Sequence, residues 1–333
     1  MSRAAPGRNC PLSYRYSPDV FRRRPDVEAE TLYVIGGLYG NPFALDAILE
    51  LAAQESPAPT LVFNGDFNWF DVDPGGFAAL NARVLEHVAL RGNVETELAN
   101  DDVEAGCGCA YPEYVGDADV ARSNAILAQL RETARGFPPL RARLGGLPMH
   151  AVAAVGSADA RVRIAIVHGD AWSLAGWRFA QEGLSDDALQ RAFDAADVSV
   201  FASSHTCLPV TYRLPAGVVA NNGAAGMPNF RGTRHGLITR IAADARADAL
   251  YGERLGPVVV ETLAVRYDHD RWLAQFDRLW PAGSPAAVSY RKRIADGPGY
   301  DPAQAVRRPV RSPAAPRQNA AIPRRAAAAD LGD

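Results

Sequence analysis

With 333 residues, 48% of them hydrophobic and 22% charged, the chain has enough length and apolar content for one large soluble domain or two small ones. Its formal net charge of -3 leaves no basic field of the kind that draws nucleic acid or an anionic membrane surface as main partner. No apolar run approaches the ~20 residues that span a bilayer, residues 1–11 lack the apolar stretch of a secretory leader, and four cysteines are too few for a disulfide framework, so the expected compartment is the reducing cytoplasm.

Residues 1–28 are rich in arginine and proline and read as an extended arm, with Leu12, Tyr14, Tyr16, Val20 and Phe21 available to pack on a domain surface. From residue 29 the texture changes. Leu32–Ile35 and Thr60–Phe63 are apolar runs of buried-strand type, and between them residues 41–54 carry apolar side chains at helical spacing. This is a βαβ unit with a parallel strand pair. A helix over 77–86, a strand over 87–90 and a long helix over 120–135 follow, and Pro138, Pro139, Gly145, Gly146 and Pro148 then predict a loop. Beyond His150 strands dominate: 151–155 and 162–167 as a hairpin, then 198–202, 210–214, 218–220, 236–241 and 258–265, interrupted by a helix over 186–195. A mixed α/β domain over 29–296, with two facing sheets flanked by helices, satisfies both halves. Residues 297–333 turn Pro-, Ala- and Arg-rich and are expected to be a disordered tail.

The chemistry gathers at strand ends. Gly65-Asp66, Gly92-Asn93, His168-Gly169-Asp170 and Ser204-His205-Thr206-Cys207 each follow an apolar strand. Ligands collect at the carboxyl edge of strands in open α/β sheets, so Asp66, Asn93, His168 and His205 are expected at one spot. A carboxylate, an amide oxygen and two imidazoles suit a borderline divalent cation, Mn, Fe or Zn, rather than calcium. Any one of these residues alone reads more readily as turn chemistry or a structural histidine; the repetition at four strand tips favours the metal.

The order resembles the calcineurin-like metallophosphoesterases, whose signature runs D-x-H, GD, GN-H-D/E, H and GH-x-H, and within them the bacterial branch that opens Asp-Ile-His-Gly-Asn. Here it reads Gly37-Leu38-Tyr39-Gly40-Asn41, Gly65-Asp66, Gly92-Asn93-Val94-Glu95, His168-Gly169 and Ser204-His205-Thr206-Cys207, with Asn222-Gly223-Ala224-Ala225-Gly226 in place of the Asn-Pro-Gly-Ser turn. The resemblance covers roughly residues 31–241. It implies a four-layer αββα sandwich of two mixed β-sheets flanked by helices, and a metal-dependent hydrolase of a small phosphate mono- or diester.

It also implies an asymmetric centre. Of the family's two metal sites, the one built on the first motif maps to Gly37, Tyr39, Asp66 and Cys207, and has lost ligands. The other maps to Asp66, Asn93, His168 and His205, and is complete. One ion is therefore expected rather than two. The histidine of GN-H, a general acid in the family, is Val94 here. Cys207 with Cys107 and Cys109 is a candidate thiolate replacement for the lost site, against ordinary buried or loop cysteines. Tyr39 is a candidate donor to a phosphate oxygen, Asp170 either a carboxylate orienting His168 or a helix N-cap, and Asn41, Arg91, Arg231, Arg234 and His235 are candidates for substrate contacts. Family members that keep the sandwich and serve as scaffolds leave a catalytically inactive binding protein as the alternative.

Overall fold

The computed structural model describes residues 5–307. The elements in chain order are β1 (Val27–Ala29), β2 (Leu32–Ile35), α1 (Pro42–Ala53), β3 (Thr60–Asn64), α2 (Pro74–Val84), β4 (Val88–Leu90), α3 (Asn93–Ala99), α4 (Asp117–Arg135) and α5 (Pro138–Gly145). The second half adds β5 (His150–Ser157), β6 (Ala160–Val167), α6 (Asp186–Ala196), β7 (Val200–Ser203), β8 (Pro209–Arg213), β9 (Val218–Asn222), β10 (Gly236–Ala242), β11 (Tyr251–Leu255) and β12 (Val258–Val265). It closes with α7 (His269–Leu279), α8 (Pro285–Asp296), α9 (Pro302–Ala305) and β13 (Val306–Arg307).

The strands form two mixed sheets. One runs β11-β12-β10-β2-β3-β4 and the other β1-β5-β6-β7-β9-β8-β13. Side-chain alternation along the strands builds the layers. Leu32, Val34 and Val62 point between the sheets and meet Ala153, Ile164, Ile166 and Val200 from the other one. Their neighbours Tyr33, Ile35, Leu61 and Phe63 point outward under the helices that include α1, α2 and α4. On the opposite outer face Val152, Ala165, Phe201 and Val219 pack with α6 and with Phe21 of the arm. The result is the helix–sheet–sheet–helix sandwich. Within it β2, β3 and β4 are parallel, as are β6, β7 and β9, so both sheets present carboxyl ends to one edge.

Three expectations change. The segment 138–148, expected as a loop, begins with α5, because Pro138 stands in the first turn, where a missing N–H removes no helical bond. The arm does not run loose: Tyr14 and Phe21 are buried, and the Tyr14 hydroxyl donates to Glu97 at 2.6 Å beside the Arg131–Glu97 ion pair at 2.8 Å. The expected tail is ordered as far as Arg307, where β13 pairs in parallel with β8 and Tyr300 is buried against Phe230; its remainder lies outside the described residues. Among the described residues no helix is long and apolar enough to cross a membrane.

Candidate metal centre

Asp66 follows β3, Asn93 opens α3 just after β4, His168 follows β6 and His205 follows β7, and the shared sheet edge brings all four together. His168 Nε2 lies 3.3 Å from Asp66 Oδ2, 3.2 Å from Asn93 Oδ1 and 3.2 Å from His205 Nδ1. Asp66, His168 and His205 are buried and offer ligand atoms within 4.8 Å of one another. The approach is this close because glycines precede two of the ligands: a Cβ on Gly92 would stand 2.3 Å from Asp66 Oδ1.

The outer atoms of each side chain fix what faces inward. His168 Nδ1 is 2.8 Å from the Asn64 carbonyl and His205 Nε2 is 3.1 Å from the Cys109 carbonyl. A carbonyl only accepts, so those two nitrogens carry the protons and the inward nitrogens present lone pairs. Asn93 Nδ2 donates to the Cys107 carbonyl at 2.9 Å, which turns its Oδ1 inward. Two nitrogen lone pairs, an amide oxygen and a carboxylate thus face one another with no donor among them in that tautomeric state. Such a cluster calls for a cation at its middle, either a proton or a metal ion, and this donor set fits a borderline divalent metal. The electrostatics agree. Burial disfavours charge on Asp66, yet His168, His205 and the Val94 N–H more than offset it and hold its pKa below the ordinary value. Burial likewise pushes His168 down, but Asp66 outweighs it and raises the imidazole, while burial and His168 together push His205 down to about 4.

Glu95, which strand-tip reasoning assigned no role, supports the cage from beneath. Its carboxylate accepts from Asp66 N at 2.8 Å, Gly92 N at 2.9 Å, Phe67 N at 3.1 Å and Asn68 Nδ2 at 3.1 Å. The one sequence signal was its place at the third position of a helix that starts after Gly92, where an acid reaches back to free N–H groups.

The first-motif side is filled. Tyr39 is buried, its hydroxyl 2.8 Å from Cys207 Sγ, and a Cβ on Gly37 would meet the Tyr39 ring at 2.8 Å. A side chain at 37 and the tyrosine ring at 39 thus compete for one volume, and the ring would have to shift to admit an aspartate. Cys207 bonds to the phenol and stands outside the ligand group, and among the described residues no thiolate joins a metal-competent cluster. The thiols do not gather as the candidate thiolate rebuilding would need: Cys107 is fully buried and contributes its carbonyl to Asn93, and Cys109 its carbonyl to His205. Tyr39, Asp66 and Cys207 all adopt positive φ, three of the five non-glycine residues that do so among the described residues, a concentration of strain typical of built sites.

The remaining candidates lie elsewhere. Asn41 caps α1, accepting from Ala44 N and donating to the Gly226 carbonyl, and so serves the backbone of the Asn222–Gly226 turn. Arg91 donates to the Gly145 carbonyl, exposed Arg234 pairs with Asp270 at 3.4 Å, and exposed Arg231 lies 3.5 Å from Asp301; these guanidinium groups are held by their own neighbours. His235 is half-buried, pushed down by burial and Arg266, and lines no cavity with the cage. Asp170 neither touches His168 nor caps a helix; it accepts from the backbone N–H groups of Trp172, Ser173 and Arg178 and fixes a loop.

Above the cage is a cavity of ≈ 30 Å³ lined by residues that include Asp66, Asn93, His205, Tyr39, Cys207 and Trp177. That is room for one or two waters. Trp177 roofs it, its ring 5.3 Å from that of His205 and its Nε1 donating to the Cys109 carbonyl at 2.9 Å.

No family model matches the chain, and no curated protein does. Solved structures match over most of its length. The hypothetical protein PH1004 from Pyrococcus horikoshii OT3 aligns at TM-score 0.55 and 16% identity, covering 82% of this chain and 100% of that one. A metallophosphoesterase from Sphaerobacter thermophilus aligns at 0.49 and 16%, covering 80% and 100%, and a phosphoesterase from E. coli at 0.34 and 20%, covering 71% and 100%. At these identities the likeness is one of fold.

Proposed function

On a chain with the calcineurin-like phosphoesterase fold, we propose a metal-dependent hydrolase of phosphate mono- or diesters that works with one divalent cation, Mn, Fe or Zn, held by Asp66, Asn93, His168 and His205. The observation that carries this reading is the convergence of four acceptor atoms with both imidazoles committed by carbonyls on their outer sides. A divalent ion there supplies Lewis acidity toward water and a phosphoryl oxygen. The chain's own residues do the rest. The Cys109 and Asn64 carbonyls keep the two rings aimed inward. Burial, with Cys207 beside it, keeps the Tyr39 phenol protonated, so that it stands ready to donate to a phosphoryl oxygen where the first-site metal would otherwise polarise one. Val94 offers no proton to the leaving group, which removes an acid that contributes ~10²–10⁴-fold in rate where present. The partner under this reading is a small phosphorylated molecule rather than nucleic acid or membrane, and the four unpaired thiols suit the cytoplasm.

A second reading, an inactive binding protein on the same sandwich, is favoured by one observation: a ≈ 30 Å³ cavity has no room for a phosphoryl group unless Trp177 moves. Metal content and turnover separate the two. Purified protein is loaded in turn with Mn, Fe and Zn, dialysed, and assayed on aryl phosphate mono- and diesters beside Asp66→Asn. The hydrolase reading expects about one equivalent and turnover, both lost in the variant. Bound metal without turnover supports the inactive reading, and no bound metal sinks the metal centre itself.

A further inference from the structure

Beside the cage opens a groove of ≈ 540 Å³, and Trp177 lines both. Three segments build it: the arm at Arg15, the stretch 110–114, and the loop 170–183. They are fixed to each other. Tyr16 N donates to the Trp172 carbonyl at 3.0 Å, Leu174 N to the Tyr14 carbonyl at 2.9 Å, and the Tyr16 hydroxyl to the Asp170 carbonyl at 2.7 Å. The arm, unexplained by the sandwich, is a wall of this groove.

The lining has a definite chemistry. Tyr114, 62% exposed, Trp177, which meets it edge-on at 6.4 Å, and the face of Trp172 not covered by Arg178 offer ring surface. Arg15 and Arg178 offer two exposed guanidinium groups, the second 4.3 Å over the Trp172 ring. Arg8, Arg122, Arg131 and Arg240 all bind carboxylates, yet among the described residues neither Arg15 nor Arg178 forms an ion pair. Exposed Glu182 also lines the groove and supplies an acceptor for hydroxyl or amino groups, while the other lining carboxylate, buried Asp170, is taken up by the backbone N–H groups of Trp172, Ser173 and Arg178. Ring faces, unpaired guanidinium groups and a carboxylate acceptor match the heteroaromatic base, phosphate and sugar hydroxyls of one ligand class. The volume falls in the range of small-molecule sites, about 300–1,000 Å³.

We propose that this groove binds a nucleoside phosphate, with the base against the Trp172, Trp177 and Tyr114 rings and phosphate on Arg15 and Arg178. The inference deepens the hydrolase reading, since it names the class of ester delivered past Trp177 to the cage, but the binding itself does not need the metal.

The test uses the full chain, metal-loaded, and titrates the non-cleavable α,β-methylene analogue of ADP against tryptophan fluorescence and by calorimetry. Adenosine, ribose 5-phosphate and inorganic phosphate serve as partial ligands. The expected result is saturable quenching by the analogue, with each partial ligand weaker by about tenfold or more. Arg15→Gln with Arg178→Gln should weaken it by about tenfold or more at unchanged Tm, and the wild-type chain stripped of metal by a chelator should bind it within about twofold of the loaded chain. No saturable binding overturns the inference, as does inorganic phosphate or ribose 5-phosphate binding as tightly as the analogue, or loss of binding when the metal alone is removed. Failure of the hydrolase reading appears separately, in metal content and turnover.

Discussion

The Tyr39 hydroxyl meets the Cys207 sulfur at 2.8 Å, and the same ring occupies the volume a side chain on Gly37 would need. Placing an aspartate at 37 alone should therefore harm the protein. Gly37→Asp forces a Cβ to 2.8 Å from the ring at a φ of +66° and should lower stability by about 2–3 kcal/mol. Adding Tyr39→His removes the clash and should recover part of that loss, leaving the backbone strain. Urea melts of the three proteins check the order.

Cys207 belongs to the phenol rather than to the ligand group, so Cys207→Ser should leave metal stoichiometry unchanged while His205→Ala lowers affinity by about tenfold or more. Equilibrium dialysis with metal analysis reads both; a halved stoichiometry in Cys207→Ser would count against a single site.

Glu95 accepts four donors, three of them backbone N–H groups around Asp66 and Gly92. In Glu95→Gln the new amide must point its own N–H groups at existing donors. A loss of about 2–3 kcal/mol is expected, with weaker metal binding in variant that remains folded, measured by chemical denaturation and competition with a chelator.

Asp71 is 2% exposed, and its Oδ1 finds no hydrogen-bond partner among the described residues. Burial, with Asp73 adding to it, raises its pKa to about 8. The folded chain holds this proton while the unfolded chain releases it near pH ~4, so the contribution falls as pH rises from about 4 to about 8 and is level beyond. Asp71→Asn removes that slope. Relative to wild type it should gain stability with rising pH, by about 1–3 kcal/mol at pH ~8, in melts taken across that range.

Far from the cage, Arg240 is buried between Glu55 at 2.7 Å and Glu261 at 2.9 Å. Burial opposes ionisation of Glu55, but hydrogen bonds from Arg240 and Tyr33 outweigh it and hold its pKa at about 2. This contribution is complete above pH ~4 and is lost as pH falls toward 2. Arg240→Met leaves Glu261 buried without its cation and Glu55 with Arg246 alone, at 3.3 Å, and should cost about 3 kcal/mol, with metal affinity unchanged in folded protein.

The cage was legible in the sequence because each ligand stands directly after an apolar strand, where local pattern and topology say the same thing. The sandwich was legible for that reason too, from runs such as 32–35 and 162–167. What lay hidden depended on contacts remote along the chain. Glu95 binds backbone near Asp66, 29 residues away, and no periodicity marks such a bond. Arg91 and Arg234 carry the charge of a phosphate contact, and charge does not say which way a guanidinium turns. Pro138 masked α5 because proline interrupts a helix everywhere but in its first turn.

Both imidazoles of the cage are aimed by main-chain oxygens, those of Asn64 and Cys109. An alanine scan cannot remove these tethers, because replacing either residue leaves its peptide carbonyl in place, and any signal it gives reports the lost side-chain bonds to Val167 and Asn93. Dissecting these tethers calls for backbone chemistry, such as an ester in place of an amide, or for rebuilding the loop that carries them.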